Sequence, residues 1–117
     1  GVAFLNCIPA VSQVAVAGEE AWGADILVRA LEAPFRCLVA NAGKHSPAAV
    51  LAETRRLEPQ AGYNALTGQI VNMVDAGILD AAGVLRLALE TAVSGAAVAL
   101  TTEVMVLKRN PVQSMEP

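Results

Sequence analysis

Aromatic side chains are scarce in this sequence. They make up 3% of the 117 residues, although 55% of the residues are hydrophobic. The apolar content therefore comes mainly from Ala, Val and Leu, which favours close-packed helices over an aromatic-rich β-sandwich. A chain of this length forms about one modest domain. We predict an all-α fold, mainly a helical bundle, with one small β-hairpin.

Clustered positive charge is also missing. The net charge is −3, and the only adjacent basic pairs are Arg55-Arg56 and Lys108-Arg109. A nucleic-acid surface needs Lys and Arg gathered on one face of the protein. We therefore predict no nucleic-acid partner.

Metal-binding patterns are absent from the sequence. Cys7 and Cys37 lack the Cys-x-x-Cys spacing, and His45 is the one histidine. We therefore predict no metal site and two buried, reduced thiols. Reduced thiols are typical of the cytosol or of an organelle matrix, and we predict a cytoplasmic location.

The sequence also lacks a charged leader and a long uninterrupted apolar run. No positive segment precedes the opening apolar run, so a core helix fits it better than a signal peptide. The best candidate for a bilayer span, Val84 to Leu100, is interrupted by Arg86 and Glu90, and we predict no span. The mean hydropathy of +0.50 is nevertheless high for a free-standing domain. We predict an oligomer, or a piece of a larger protein that covers this apolar surface.

Hydrophobic spacing predicts four helical segments and one hairpin. The clearest helix runs from about Ala21 to Ala42, where apolar residues recur every three or four positions. Its predicted stripe comprises Leu27, Ala30, Leu31, Pro34, Phe35, Leu38, Val39 and Ala42. The other predicted segments are helices over residues 2–17, 46–57 and 80–100, and hairpin strands over residues 63–65 and 69–71. The last helix is apolar almost all round, which is typical of a helix at the centre of a domain.

Familiar catalytic motifs are absent, including a nucleophile elbow, a phosphate-binding P-loop and His-Glu-x-x-His. The remaining polar residues have ordinary structural explanations. His45, Asn64 and Asp75 fit turns. Asp80 fits the N-cap of the last helix, where Leu79 before the cap is predicted to pack against the first turn. Spacing alone therefore predicts no catalytic residue.

Three stretches of sequence occur in a characteristic order. Residues 30–34 read Ala-Leu-Glu-Ala-Pro, and residues 100–103 read Leu-Thr-Thr-Glu. Between them, residues 62–65 read Gly-Tyr-Asn-Ala and residues 72–80 read Asn-Met-Val-Asp-Ala-Gly-Ile-Leu-Asp. Together they resemble the GroEL-type, group I chaperonin family. The resemblance implies that residues 1–107 are the C-terminal part of the equatorial, ATP-binding domain, and that residues 108–117 are a flexible tail.

The resemblance also implies residues that contact a nucleotide. Asn64, Ala65 and Leu66 match the turn that contacts adenine in this family. Ile78 matches a residue that lines the apolar side of the base. Asp80 matches the carboxylate that accepts hydrogen bonds from the ribose hydroxyls. A carboxylate suits a diol, and a turn with free backbone groups suits the edge of a base.

Gly1 matches the last glycine of the family's nucleotide-binding loop. The implied cofactor is ATP with Mg²⁺. The resemblance places the Mg²⁺ ligands and the catalytic aspartates outside this chain, and phosphoryl transfer depends on such groups. Intact family members hydrolyse ATP, whereas this chain alone is not expected to do so.

The implied partners are copies of the same chain in a ring, with co-chaperonin and unfolded clients bound by domains outside this chain. The sequence departs from the family pattern at Leu66, which replaces an alanine. It departs again at His45, which replaces a glutamate that pairs between rings with the position of Arg36. These departures leave an alternative open: a nucleotide-independent helical oligomerisation module of a degenerate chaperonin paralogue.

Overall fold

The computed structural model describes residues 1–14 and 16–106. Among these residues it contains four helices and one antiparallel hairpin, which confirms the predicted fold class. The elements, in chain order, are α1 (Val2–Ser12), α2 (Glu19–Ala42), α3 (Pro47–Thr54), β1 (Ala61–Asn64), β2 (Gln69–Asn72) and α4 (Ala82–Leu100).

The chain divides into two compact units. The first spans Gly1–Leu85 and contains the first three helices and the hairpin, whereas the second begins at Arg86 and contains most of α4. The extent of the equatorial segment, residues 1–107, stays a prediction. The predicted tail, residues 108–117, lies outside the described residues.

Helix α2 provides the centre of the core of the first unit. Leu31, Phe35 and Val39 lie four residues apart and are all buried, as expected for one face of a helix. Phe35 and Val39 share a cluster with buried residues of the neighbouring elements. These neighbours are Leu5, Val50, Leu51 and Tyr63. The predicted stripe is too wide, because a second row formed by Ala30, Pro34 and Leu38 is exposed.

The ends of the helices follow local sequence rules closely. Gly43 ends α2 in the left-handed conformation, with φ of 66°, which glycine adopts at low cost. Ser46 and Pro47 begin α3 as predicted, although the Ser46 side chain makes no capping hydrogen bond. Helix α1 continues through Pro9 and ends at Ser12, earlier than the predicted residue 17.

The hairpin is longer than predicted. Its strands pair antiparallel with Tyr63 opposite Ile70. Gly62 in β1 is the most closely surrounded of the glycines. A Cβ atom there would lie 2.5 Å from Cγ2 of Val2 and 2.6 Å from Cγ of Met73. The absence of a side chain at Gly62 therefore lets α1 and the segment after β2 approach the same strand.

Helix α4 differs from its prediction in two respects. It begins at Ala82 rather than Asp80, and Leu79 and Val84 are 71% and 66% exposed, so they do not pack as a pair. None of its residues is buried within the described part of the chain. The prediction of a helix at the centre of a domain is therefore wrong for this chain alone.

By length and composition α4 could also cross a membrane, despite Arg86 and Glu90, so the prediction that no apolar run is long enough is wrong. The core helix of a water-soluble protein passes the same test. Length and composition therefore assign no membrane role to α4.

The two cysteines are free but exposed, not buried as predicted. Cys37 lies on α2 outside the buried row of that helix, and Cys7 lies on α1 away from buried Leu5. Spacing identified the apolar rows but did not show which flanks of these helices stay uncovered.

Candidate functional site

One cavity in the first unit is formed by parts of the chain that are distant in sequence. Its volume is about 470 Å³. Its walls are the first turns of α1, the hairpin turn and the segment between β2 and α4. All six residues that the resemblance assigned to a nucleotide line this cavity. They are Gly1, Asn64, Ala65, Leu66, Ile78 and Asp80.

Asp80 lies at the N-terminal end of α1, not at the end of α4. Its Oδ1 and Oδ2 accept hydrogen bonds from the Gly1 nitrogen at 2.9 and 3.0 Å. Oδ2 also accepts one from the Ala3 backbone N–H at 3.0 Å. A carboxylate at this position satisfies N–H groups that a helix leaves without partners. Asp80 is therefore a capping residue, but the prediction that it caps α4 is wrong. It caps α1, across about 80 residues of chain.

The electrostatics of Asp80 favour the charged form. Burial raises the pKa of this carboxyl group, but the hydrogen bonds that it accepts at the N-terminal end of α1, from the Ala3 N–H and the Gly1 nitrogen, lower it more. The net result is a pKa below the ordinary value for aspartate. Asp80 is thus an ionised acceptor at neutral pH, and its side chain is still 31% exposed towards solvent.

The hairpin turn is built by Asn64. Its Oδ1 accepts hydrogen bonds from the backbone N–H groups of Leu66, at 3.0 Å, and Thr67, at 3.3 Å. Its backbone carbonyl accepts from Gly68 N–H at 2.7 Å. Such a side-chain turn is typical of asparagine and confirms the structural interpretation of this residue. The same turn forms one wall of the cavity.

Few polar groups of this turn remain free. The Leu66 N–H is bonded to Asn64, and the Leu66 carbonyl accepts from Lys44 Nζ at 2.6 Å. Within residues 1–14 and 16–106, the Asn64 side-chain NH₂ and the backbone N–H and C=O of Ala65 have no hydrogen-bond partner. These groups are the ones that could read the edge of a flat polar ligand.

The opposite wall of the cavity is apolar. Asn72 Oδ1 accepts from the N–H groups of Val74 and Asp75, and the Ile78 N–H donates to the Met73 carbonyl at 2.9 Å. This tight segment brings Val74 and Ile78 to the cavity, where they are 54% and 40% exposed. Exposed aliphatic side chains beside free polar groups suit a planar, partly apolar ligand such as a nucleobase.

Sequence reasoning missed several residues of the cavity. Leu38, Pro59, Gln60 and Met73 also line it, although nothing in their local spacing indicates a site. The contact of Lys44 with the turn is equally invisible in the local sequence. The helical period of α2 places Leu38 beside the buried row, and that signal could have suggested an additional surface.

The fold and the cavity together define a class of structure. It is a mainly helical unit with a hairpin, in which the Asp80 carboxylate and the Asn64–Leu66 turn face an apolar wall. The sequence model of the TCP-1/cpn60 chaperonin family matches residues 1–110. The chain therefore belongs to the TCP-1/cpn60 chaperonin family, which confirms the resemblance at the level of the family. The placement in group I and in the equatorial domain stays a prediction.

Proposed function

We propose that the cavity binds the adenosine part of ATP, and that the chain serves an ATP-dependent ring chaperonin that assists protein folding. One observation carries the proposal: six residues, spread from position 1 to position 80, lie on the same cavity. The resemblance in sequence implies a nucleotide contact for each of these residues, independently of their positions in the fold. Membership of the chaperonin family supports the same function.

The adenine would lie between the hairpin turn and Ile78. The free backbone groups of Ala65 and the Asn64 amide supply both donors and acceptors, which the edge of adenine requires. Ile78 and Val74 supply an apolar face for the ring. Leu66 is 86% exposed, so its large side chain has room to turn away from the base.

The ribose would lie beside Asp80. A carboxylate has about four acceptor positions. The Ala3 N–H uses a position on Oδ2. Oδ1 therefore keeps an acceptor position that is suited to a ribose hydroxyl. Gly1 lies at the start of α1, and a helix N-terminus favours the phosphates that follow the ribose.

The rest of the ATP site lies outside these residues in this proposal. ATP brings the phosphoryl group and Mg²⁺, and groups elsewhere in the protein hold both. The proposed partners are identical chains in a ring, with co-chaperonin and unfolded clients bound by other domains. The exposed apolar surface of α4 supports burial against other chain. Two free cysteines support a cytoplasmic location.

A titration tests the proposal. The complete gene product should bind ATP saturably, with half-saturation at about 1 μM to 1 mM ATP, the range of KM values that is common for enzymes. Isothermal calorimetry measures this binding, with CTP as the control for contacts to the ribose and the phosphates, which the two nucleotides share. Absence of saturable ATP binding would contradict the proposal and favour the nucleotide-independent oligomerisation module.

A further inference from the structure

The loop between α2 and α3 lies against the hairpin turn. Lys44 Nζ donates a hydrogen bond of 2.6 Å to the Leu66 carbonyl, across 22 residues of chain. The neighbouring His45 ring contacts Tyr63 edge-on, with ring centres 6.1 Å apart and planes at 89°. Two consecutive residues of this loop therefore contact the same hairpin, one at the turn and one at its strand.

The Lys44 bond restrains one particular peptide group of the turn. In the peptide group between Leu66 and Thr67, the Thr67 N–H donates to Asn64 Oδ1 at 3.3 Å, which is a long hydrogen bond. On its C=O side this peptide group is held by Lys44 at 2.6 Å, a short bond with a charged donor. Lys44 is thus the stronger restraint on this peptide group.

Gly68 lies under the lysine stem. Its φ is +79°, which disfavours any residue with a side chain. A Cβ atom there would also lie 2.9 Å from Cδ of Lys44. The lysine stem therefore passes directly over the glycine of the turn.

The geometry points to Lys44 as a positioning residue that fixes the Asn64–Leu66 turn for recognition of the adenine base, an inference that rests on the proposed function. Lys44 itself does not line the cavity. It acts through the Leu66 carbonyl and so restrains the Leu66–Thr67 peptide group. Asn64 Oδ1 connects this peptide group to the preceding one, which carries the free carbonyl of Ala65, because it accepts from both the Thr67 and the Leu66 N–H. The ribose side of the cavity, at Asp80, is independent of this contact.

Replacing Lys44 with methionine tests the inference in the complete gene product. Methionine keeps most of the stem but removes the donor. We expect affinity for ATP to fall by about 3- to 10-fold, the effect of losing one exposed charge-assisted hydrogen bond. Affinity for CTP, which shares the ribose and the phosphates, should change by less than about twofold. Lys44→Arg restores a donor and should recover most of the ATP affinity.

Arg56→Met is the matched control, since Arg56 is an exposed charge in the turn after α3. It should leave both nucleotides unaffected. Equal weakening of ATP and CTP by Lys44→Met, or no weakening of either, would overturn the inference.

Hydrogen exchange separates this inference from the proposed function. Lys44→Met should increase amide exchange at residues 66–68, whether or not nucleotide is present. If the wild type binds no ATP, the proposed function fails and the recognition role fails with it. If amide exchange at residues 66–68 is unchanged in the variant, Lys44 does not restrain the turn. The inference is then overturned even when the wild type binds ATP.

Discussion

Asp80→Asn is expected to weaken ATP binding by the complete gene product by about 10- to 100-fold. The variant keeps the size of the side chain but replaces an ionised acceptor with a neutral amide. Hydrogen bonds to charged groups contribute about 1.5–3 kcal/mol, and each 1.4 kcal/mol corresponds to a factor of ten. Competition titration with a fluorescent ATP analogue measures the change.

Asp75→Asn is the matched control for this prediction. Asp75 is an exposed aspartate in the same segment and does not line the cavity. It should leave ATP affinity unchanged. An analogue without the ribose 2′-hydroxyl or 3′-hydroxyl provides a second check, because the wild type should prefer ATP and Asp80→Asn should lose that preference. If the variant still discriminates between them as the wild type does, Asp80 does not bind the ribose.

The Asp80 variant also loses part of the cap of α1, so stability must be measured separately. The Gly1 and Ala3 nitrogens both donate to this carboxylate. Loss of a negative charge at the N-terminus of a helix costs about 0.3–1 kcal/mol. Urea unfolding of the variant should show such a loss. Binding must then be compared without urea, under conditions in which both proteins are folded.

Gly62→Ala is expected to destabilise the first unit by about 1–3 kcal/mol, the usual cost of overpacking a tight core. The new methyl group would lie too close to the side chains of Val2 and Met73 unless one of them shifts. Because these two residues also line the cavity, ATP affinity should fall as well. Urea denaturation monitored by circular dichroism measures the stability.

Gly95→Ala is the control for Gly62→Ala. Gly95 lies inside α4, and a Cβ atom added there would meet nothing within 4 Å among the described residues. Alanine is the better helix former by about 0.5–1 kcal/mol, so this variant should be neutral or slightly more stable. If Gly62→Ala were as stable as the wild type, Val2 and Met73 would have moved apart at no cost. That result would contradict tight packing at Gly62.

Local sequence rules predicted much of the fold. The period of α2, the glycine at its end and the proline at the start of α3 act over a few residues, so one sequence is enough to see them. The exposure of α4 and of Cys37 could not be predicted in this way. Burial depends on which other elements cover a face, and spacing within one helix does not contain that information.

In the candidate site, too, the local features could be predicted from the sequence and the long-range contacts could not. Spacing alone gave Asn64 a turn and Asp80 a cap, and both structural roles exist. The sequence could not show that Asp80 caps α1, because the partners lie 77 and 79 residues away in the chain. The contact of Lys44 with Leu66 is also long-range. The resemblance to a family, not the local pattern, grouped the six cavity residues.

The central claim is that this cavity binds adenosine. A crystal structure of the complete gene product with ADP tests it most directly. The account predicts adenine between the Asn64–Leu66 turn and Ile78, with a ribose hydroxyl within hydrogen-bond distance of Asp80 Oδ1. ADP bound at another place, with this cavity free of it, would contradict the account.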